Sequence, residues 1–240
     1  MPLLSLQGVC KSFGSLTVVD QLSMHLDEGE ALGIIGPNGA GKTTIFNIIT
    51  GDLQADAGSV AFDGAEVSGL APHKRCRSGI GRTYQIPHPF AKMSVFENLL
   101  VGAVHGNGER ERDAYGHCVD ILERTHLTGK ANAAAGSLTL LERKRLELAR
   151  ALATKPKMLL LDEIGGGLSE QECQDLIGTI KDIHAGGMSI IWIEHIVHAL
   201  LSVAERLMVI NFGCKLDDGD PQTVMANPDV RQVYMGISAE

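Results

Sequence analysis

Residues 36–43 have the spacing of a loop that binds phosphate groups. The run Gly36-Pro37-Asn38-Gly39-Ala40-Gly41-Lys42-Thr43 fits the pattern G-x-x-x-x-G-K-[ST], and an apolar strand and a helix flank it, which disfavours a functionless glycine turn. Backbone N–H groups of such a loop attract negative charge, as does the N-terminus of the following helix. We expect Lys42 to neutralise nucleotide phosphates and the Thr43 hydroxyl to bind Mg²⁺, which prefers oxygen ligands. The residues expected to contact the nucleotide are Gly36, Asn38, Gly39, Ala40, Gly41, Lys42, Thr43 and Thr44.

Two carboxylates end a second apolar run, Met158-Leu159-Leu160-Leu161-Asp162-Glu163. Ligands of parallel sheets bind at the carboxyl ends of the strands, so Asp162 is expected to reach the Mg²⁺ shell. Glu163 points to the other side of the chain, where a carboxylate can orient an attacking water or accept its proton. Two solvated charges ending a strand are the alternative interpretation, which the phosphate loop makes much weaker.

The elements that must position these residues form two kinds of sheet. Leu4 and Leu6, and then Leu22, Met24 and Leu26, alternate with polar residues, which predicts half-buried strands of an antiparallel sheet. The short apolar runs 31–35, 158–161, 189–193 and 207–211 are typical of strands buried on both faces, and helical patterns separate most of them. The sequence therefore predicts an α/β fold with a parallel core.

A helical region is predicted between these parts. Two prolines in residues 86–90 forbid regular structure, and the pair Ser94 and Glu97 is a capping box for a helix over 95–104. A second helix is expected over 109–124. We predict one domain over 1–240, divided into an antiparallel β and phosphate-loop part (1–85), a helical subdomain (86–154) and the rest of the α/β core (155–240).

Composition excludes several classes of protein. The 240 residues are 44% hydrophobic and 21% charged, which excludes wholesale disorder and a fibrous chain. The formal net charge of −8 argues against a nucleic acid partner. Five widely spaced cysteines indicate a reducing, cytosolic compartment, and the first residues lack the pattern of a secretory signal. No apolar run is long enough to span a bilayer, although the chain can dock on one.

Taken together, these motifs resemble the nucleotide-binding subunit of ABC transporters, and the resemblance covers almost the whole chain. It implies an α/β fold with a P-loop NTPase (RecA-like) core, an N-terminal antiparallel β subdomain and an inserted α-helical subdomain. Gln85 in Gly81-Arg82-Thr83-Tyr84-Gln85 matches the family's glutamine loop, which contacts Mg²⁺ and the membrane subunits. His195 matches the switch histidine that contacts the γ-phosphate, and Phe13 lies where the family stacks an aromatic ring on adenine. Taken alone, these three residues would more often be structural.

Two motifs depart from the family. Its signature, Leu-Ser-Gly-Gly-Gln, aligns with Leu138-Thr139-Leu140-Leu141-Glu142, so leucine replaces both glycines while Thr139 keeps a hydroxyl for the nucleotide of the opposite subunit. A leucine forced to positive φ would cost about 1–2 kcal/mol. The D-loop ends in Ser169 where the family usually has aspartate. Thr139 with Glu142 also reads as a capping box, as does Ser169 with Glu172.

Within the family, the chain is most similar to the ATPases of branched-chain amino-acid importers. The similar segments are 79–85, 93–99 and the C-terminal run that ends Tyr234-Met235-Gly236. ATPases of lipopolysaccharide export share much of this pattern, and importers of urea or short amides share nearly all of it.

The resemblance implies an ATPase that uses ATP and Mg²⁺ on the cytoplasmic face of the membrane. Its partners would be a second ATPase subunit, predicted to be a paralogue, and two permease subunits, with a substrate-binding protein acting indirectly. Glu163, His195 and Gln85 would carry hydrolysis, and Thr43, Gln85 and Asp162 would hold Mg²⁺. Four alternatives stay open: a P-loop kinase, a non-hydrolysing regulatory subunit, a soluble assembly ATPase and the ATPase of a lipopolysaccharide-type exporter.

Overall fold

A computed structural model describes residues 1–235, so the Gly236 end of the C-terminal similarity lies outside the described residues. The chain divides into two compact units: one comprises Met1–Pro72 and Ser189–Glu240, and the other comprises His73–Met188. The strands are β1 (Leu4–Phe13), β2 (Leu16–Leu26), β3 (Ala31–Ile35), β4 (Ala57–Phe62), β5 (Ala65–Glu66), β6 (Ile80–Arg82), β7 (Met158–Asp162), β8 (Ser189–Ile193), β9 (Arg206–Asn211) and β10 (Cys214–Gly219). The α-helices are α1 (Lys42–Thr50), α2 (Pro72–Ser78), α3 (Val95–Val101), α4 (Glu111–Arg124), α5 (Leu140–Ala153), α6 (Glu170–Ala185), α7 (Val197–Leu201), α8 (Pro221–Ala226) and α9 (Pro228–Met235).

The first unit opens with the predicted antiparallel sheet, in the strand order β2-β1-β4-β5. Leu4 of β1 pairs with Leu26 of β2, and Leu6 pairs with Met24. All four side chains are buried. The alternating pattern thus places one face of the hairpin in the core.

The same unit contains the parallel strands that hold the phosphate loop. β3 lies between β8 and β9 and runs parallel to both, while β10 pairs with β9 in the antiparallel direction. Every residue of β3 and β8 is buried, as expected for strands covered on both faces. The helix α1 follows β3 and buries Ile45, Phe46 and Ile49.

The second unit combines the parallel pair β6 and β7 with the helices α3 to α6. The three predicted capping boxes are present at Ser94, Thr139 and Ser169, where they begin α3, α5 and α6. Within the described residues, no helix is both long and apolar enough to cross a bilayer.

The predicted helix over 95–104 is wrong at its C-terminal end. α3 ends at Val101, a π-helical turn occupies Gly102–Gly106, and α4 begins at Glu111 instead of residue 109. The turn packs closely on the end of α5, because a Cβ atom on Gly106 would lie 2.5 Å from Thr154 Cγ2. Tertiary packing therefore changes the helix here, which the local pattern does not reveal.

Candidate active site

The phosphate loop connects β3 to α1 with the backbone that its glycines allow. Gly41, the residue before α1, has φ of 101°. A Cβ atom on it would lie 2.5 Å from the carbonyl oxygen of Val18. Since L-residues rarely adopt this φ and the space is closed, only glycine fits here.

Lys42 lies at the first position of α1 and is buried, with 6% of its surface exposed. Its Nζ donates to the carbonyl oxygens of Gly36 at 2.7 Å and Pro37 at 3.0 Å. The start of α1 has no side-chain hydrogen bond from its capping residue, so its first N–H groups suit a bound anion. The loop thus combines an ammonium group and helix N–H groups, as phosphate binding requires.

The other predicted residues of this unit differ in exposure. Asn38, Gly39 and Thr43 are exposed, Thr44 is half-buried and Ala40 is buried. Because Thr43 is exposed, a ligand can reach its side chain.

His195 and Phe13 lie at the ends of two strands of this unit. His195 comes two residues after β8, its ring is exposed, and its backbone N–H donates to Glu194 Oε2 at 2.9 Å. Phe13 ends β1 with 48% of its surface exposed, and Lys11 Nζ lies 5.6 Å from the centre of its ring. An exposed ring at a strand end is available for stacking, and the stacking of adenine on Phe13 stays a prediction.

In the second unit, Asp162 ends β7 and forms a buried ion pair. Its Oδ2 lies 2.9 Å from Nη2 of Arg82, and both side chains are 6% exposed. Its backbone N–H donates to Thr83 Oγ1 at 3.3 Å. The guanidinium of Arg82 also lies over the ring of Tyr84, at 4.9 Å. We did not predict this partner of Asp162; a charged residue ending the short strand β6 was the available signal.

Glu163 and Gln85 are brought together by this unit. Gln85 Nε2 donates to Glu163 Oε2 at 2.5 Å. Glu163 has φ of 45°, a left-handed conformation that costs a non-glycine residue on the order of 1–3 kcal/mol and is frequent at functional sites. The carbonyl oxygen of Glu163 accepts a hydrogen bond from the N–H of Gly166 at 3.2 Å.

Lys144 is a buried residue of this site that the sequence motifs do not indicate. It lies on α5 with 2% of its surface exposed. Its Nζ donates to the carbonyl oxygen of Gln85 at 2.6 Å and lies 3.4 Å from that of Glu163. The signal was a lysine four residues before the buried Leu148, and therefore on the same face of the helix.

The altered signature forms the start of α5 without backbone strain. Thr139 Oγ1 accepts from the N–H of Glu142 at 3.3 Å, and the N–H of Thr139 donates to Glu142 Oε2 at 2.9 Å. The latter bond holds the pKa of Glu142 below its ordinary value. Neither Leu140 nor Leu141 has a positive φ, so the predicted cost of forcing a leucine into that region does not arise. Leu140 is exposed and Leu141 half-buried.

The two-proline segment presents apolar side chains on a fixed backbone. Asn98 accepts from the N–H of Phe90 at 2.9 Å and donates to its carbonyl oxygen at 3.2 Å. Arg150 donates to the carbonyl oxygen of His88 at 2.9 Å and lies over the Phe90 ring at 5.1 Å. Burial raises the pKa of Glu147, which Arg150 opposes as its ion-pair partner. Ile86 and Phe90 nevertheless stay 66% and 45% exposed.

Known proteins resemble this chain from end to end. The ABC transporter family matches residues 19–165. The branched-chain amino acid transport ATP-binding protein BraF of Pseudomonas aeruginosa is 37% identical, and LivG of Escherichia coli is 34% identical; each match covers 98% of both chains. The lipopolysaccharide export ATP-binding protein LptB of Haemophilus influenzae is 32% identical over the same shares.

A solved structure shares both fold and length. The ADP conformation of MJ1267, an ATP-binding cassette of an ABC transporter, is 32% identical, with a TM-score of 0.90 over 99% of this chain and 100% of the other. This likeness confirms the predicted fold. The chain belongs to the ABC transporter family, as an ATP-binding subunit that hydrolyses ATP.

Proposed function

We propose that this chain energises an importer of branched-chain amino acids or related small amides. The observation that carries the proposal is the end-to-end similarity to BraF and LivG. Both are named as branched-chain amino acid transport ATP-binding proteins. Uptake of labelled leucine by cells that lack this chain tests the cargo. Uptake should fall and return with the wild-type chain, whereas unchanged uptake of leucine, isoleucine, valine and short amides would contradict the proposal.

The phosphates of ATP would be bound by Lys42 and by the N–H groups of the loop. Adenine would stack on Phe13, which is exposed for that contact. The donor groups of Thr43, Gln85 and Asp162 are hard oxygens that fit Mg²⁺. When bound, Mg²⁺ supplies positive charge to the phosphate oxygens.

Hydrolysis would depend on the residues that handle water and the γ-phosphate. Glu163 orients the attacking water and accepts its proton, and Gln85 and His195 respond to the γ-phosphate. The bond from Gln85 to Glu163 supports this assignment, since it places a carboxamide on the carboxylate that must act on water. This bond occupies one oxygen of Glu163.

The partners of this function would be a second ATPase subunit and two permease subunits. Thr139 would contact the nucleotide of the second subunit, and a substrate-binding protein would act indirectly. The chain would work at the cytoplasmic face of the membrane as a peripheral subunit. A net charge of −8 gives no support for a nucleic acid partner.

Phe90→Asp should reduce binding to the permease subunits. His88, Pro89 and Phe90 of the two-proline segment are the residues we expect to contact a permease subunit. The substitution puts a charge on the exposed Phe90 side chain, while the hydrogen bond from its N–H to Asn98 keeps the backbone in place. Co-purification of tagged permease subunits with the chain measures the effect. Phe212→Asp is the matched control, because Phe212 is also exposed but lies in the other unit. Undiminished co-purification of Phe90→Asp would rule out a central role for this segment.

Leu141→Gly should strengthen self-association with ATP. Leucine adds bulk where the family's glycine lets the start of α5 approach the partner's nucleotide, so we expect a weak homodimer and a paralogue as the natural partner. Light scattering with ATP, in a Glu163→Gln background, measures association. Val119→Gly, also in a helix, controls for the cost of glycine there, about 1 kcal/mol. If the parent already associates tightly with ATP and Leu141→Gly changes nothing, Leu141 does not weaken self-association and the prediction is wrong.

An exporter ATPase is the second candidate, because LptB is 32% identical over 98% of both chains. The genes beside this one separate the candidates. Permease and binding-protein genes of an amino-acid importer support the first, and lipopolysaccharide export genes support the second. Membership of the ABC transporter family gives the kinase interpretation no support.

A further inference from the structure

The ammonium group of Lys144 is buried and lies near two backbone carbonyl oxygens. A buried lysine is costly unless hydrogen bonds satisfy its charge. Here the carbonyl oxygens of Gln85 and Glu163 lie 2.6 and 3.4 Å from Nζ. These two residues are 78 positions apart in the sequence, and a side chain from a third element, α5, contacts the backbone of both.

The same two residues are joined a second time through their side chains. Gln85 Nε2 donates to Glu163 Oε2, so the pair is held both at the backbone and at the functional groups. Glu163 needs such support because its φ of 45° is unfavourable for glutamate. Its carbonyl oxygen accepts from Lys144 Nζ and from the N–H of Gly166, and both contacts fix the orientation of the peptide group that follows Glu163.

We propose that Lys144 is a positioning residue for ATP hydrolysis. It keeps the backbone of Glu163 in the left-handed conformation and fixes the Gln85 backbone beside it, so that the carboxylate and the carboxamide stay in contact. Lys144 acts through these two residues and does not itself touch the reacting groups. The inference rests on the proposed role of Glu163 in hydrolysis.

This arrangement also connects the signature to the hydrolytic residues. Thr139 caps α5, and Lys144 lies five residues later, about 7.5 Å along the helix axis. A helix is stiff over this distance, so a displacement of its N-terminus moves the ammonium group. The carbonyl groups of Gln85 and Glu163 then move with it. Contact of Thr139 with a partner subunit can thereby affect the position of Glu163.

The test compares Lys144→Met with Lys144→Arg in the full-length chain. Methionine keeps the apolar length and loses the donor, so kcat should fall about 10- to 100-fold, the size of effect that a small misplacement produces. The dissociation constant for ATP should change less than about twofold, because the nucleotide contacts are elsewhere. Arginine should restore most of the turnover. Lys181→Met, which removes an exposed lysine of α6, is the matched control and should leave turnover unchanged.

Hydrogen exchange gives a readout that does not depend on activity. Amides in 83–90 and 161–168 should exchange faster in Lys144→Met than in the parent, and arginine should restore protection. If methionine at 144 prevents folding, Lys144→Gln keeps a donor of shorter reach and should show the same two effects. Parental turnover together with parental exchange in these segments, in either variant, would overturn the proposal.

A double variant separates this inference from the proposed role of Glu163. If Lys144 acts through Glu163, adding Lys144→Met to Glu163→Gln should lower single-turnover hydrolysis less than about twofold further, because two residues that act through one group are not additive. A further loss of about tenfold would show that Lys144 acts elsewhere, and would overturn the inference. Full turnover by Glu163→Gln alone would instead contradict the proposed function, while the exchange data would still report whether Lys144 holds the two segments.

Discussion

Glu163→Gln should lower ATP turnover about 10²- to 10⁴-fold, the range that a general base contributes. The glutamine keeps the size of the side chain and can still bond to Gln85, but it cannot accept a proton. ATP affinity should stay nearly unchanged, because the residue proposed to bind the phosphates, Lys42, belongs to another part of the chain. Steady-state phosphate release gives the turnover, and titration with a fluorescent ATP analogue gives the affinity.

The control for this variant is Glu123→Gln, which removes an exposed carboxylate on α4 and should change neither quantity. A loss of turnover matched by an equal loss of affinity would contradict the role of Glu163 as the base that acts on water, since it would mean that the carboxylate supports binding and not the chemical step.

Lys42→Ala should weaken ATP binding itself. The variant removes a buried ammonium group, and a hydrogen bond to a charged group contributes about 1.5–3 kcal/mol, or about 10- to 150-fold in the dissociation constant. Nucleotide titration measures the change, and thermal unfolding shows whether the loop survives the loss of the contacts to Gly36 and Pro37. Lys181→Ala is the control on an exposed lysine.

Unchanged affinity with lost turnover would contradict this prediction. It would show that Lys42 contacts the phosphates only in the transition state. Glu163→Gln should therefore lower turnover while affinity is kept, whereas Lys42→Ala should lower affinity. Together the two variants distinguish a residue that takes part in the chemical step from one that binds the nucleotide.

Patterns with local causes were predictable from the sequence. The alternation of Leu4 and Leu6 specifies a half-buried strand because side chains of a strand alternate between its faces. The Ser94 and Glu97 pair specifies a helix start because the two residues satisfy each other's N–H groups. The apolar run 158–161 likewise predicts a buried strand, and Asp162 ends that strand.

Contacts between distant segments were not predictable in this way. The ion pair of Asp162 with Arg82 joins residues 80 positions apart, and the bond of Lys144 to Gln85 reaches back 59 positions. Each depends on which strands and helices become neighbours, and neither hydrophobic period nor capping pattern contains that information. The left-handed backbone of Glu163 is likewise invisible, because its residue type gives no sign of a positive φ.

The leucines of the signature show how a family pattern can mislead. Glycine in the family suggests a backbone that leucine cannot adopt, yet Leu140 and Leu141 form an ordinary first turn of α5. These leucines therefore cause no backbone strain within the chain, and we expect any cost to come from their bulk at a partner subunit. The predicted preference for a paralogue stays a prediction that Leu141→Gly tests.

ATP hydrolysis by the assembled transporter in liposomes tests the central claim most directly. The measurement is phosphate release by this chain with its permease subunits, with and without the binding protein loaded with leucine. We predict that the loaded binding protein stimulates release and that Glu163→Gln abolishes the stimulation. The account would be contradicted if the loaded binding protein left the rate of phosphate release unchanged, or if the stimulation persisted in Glu163→Gln.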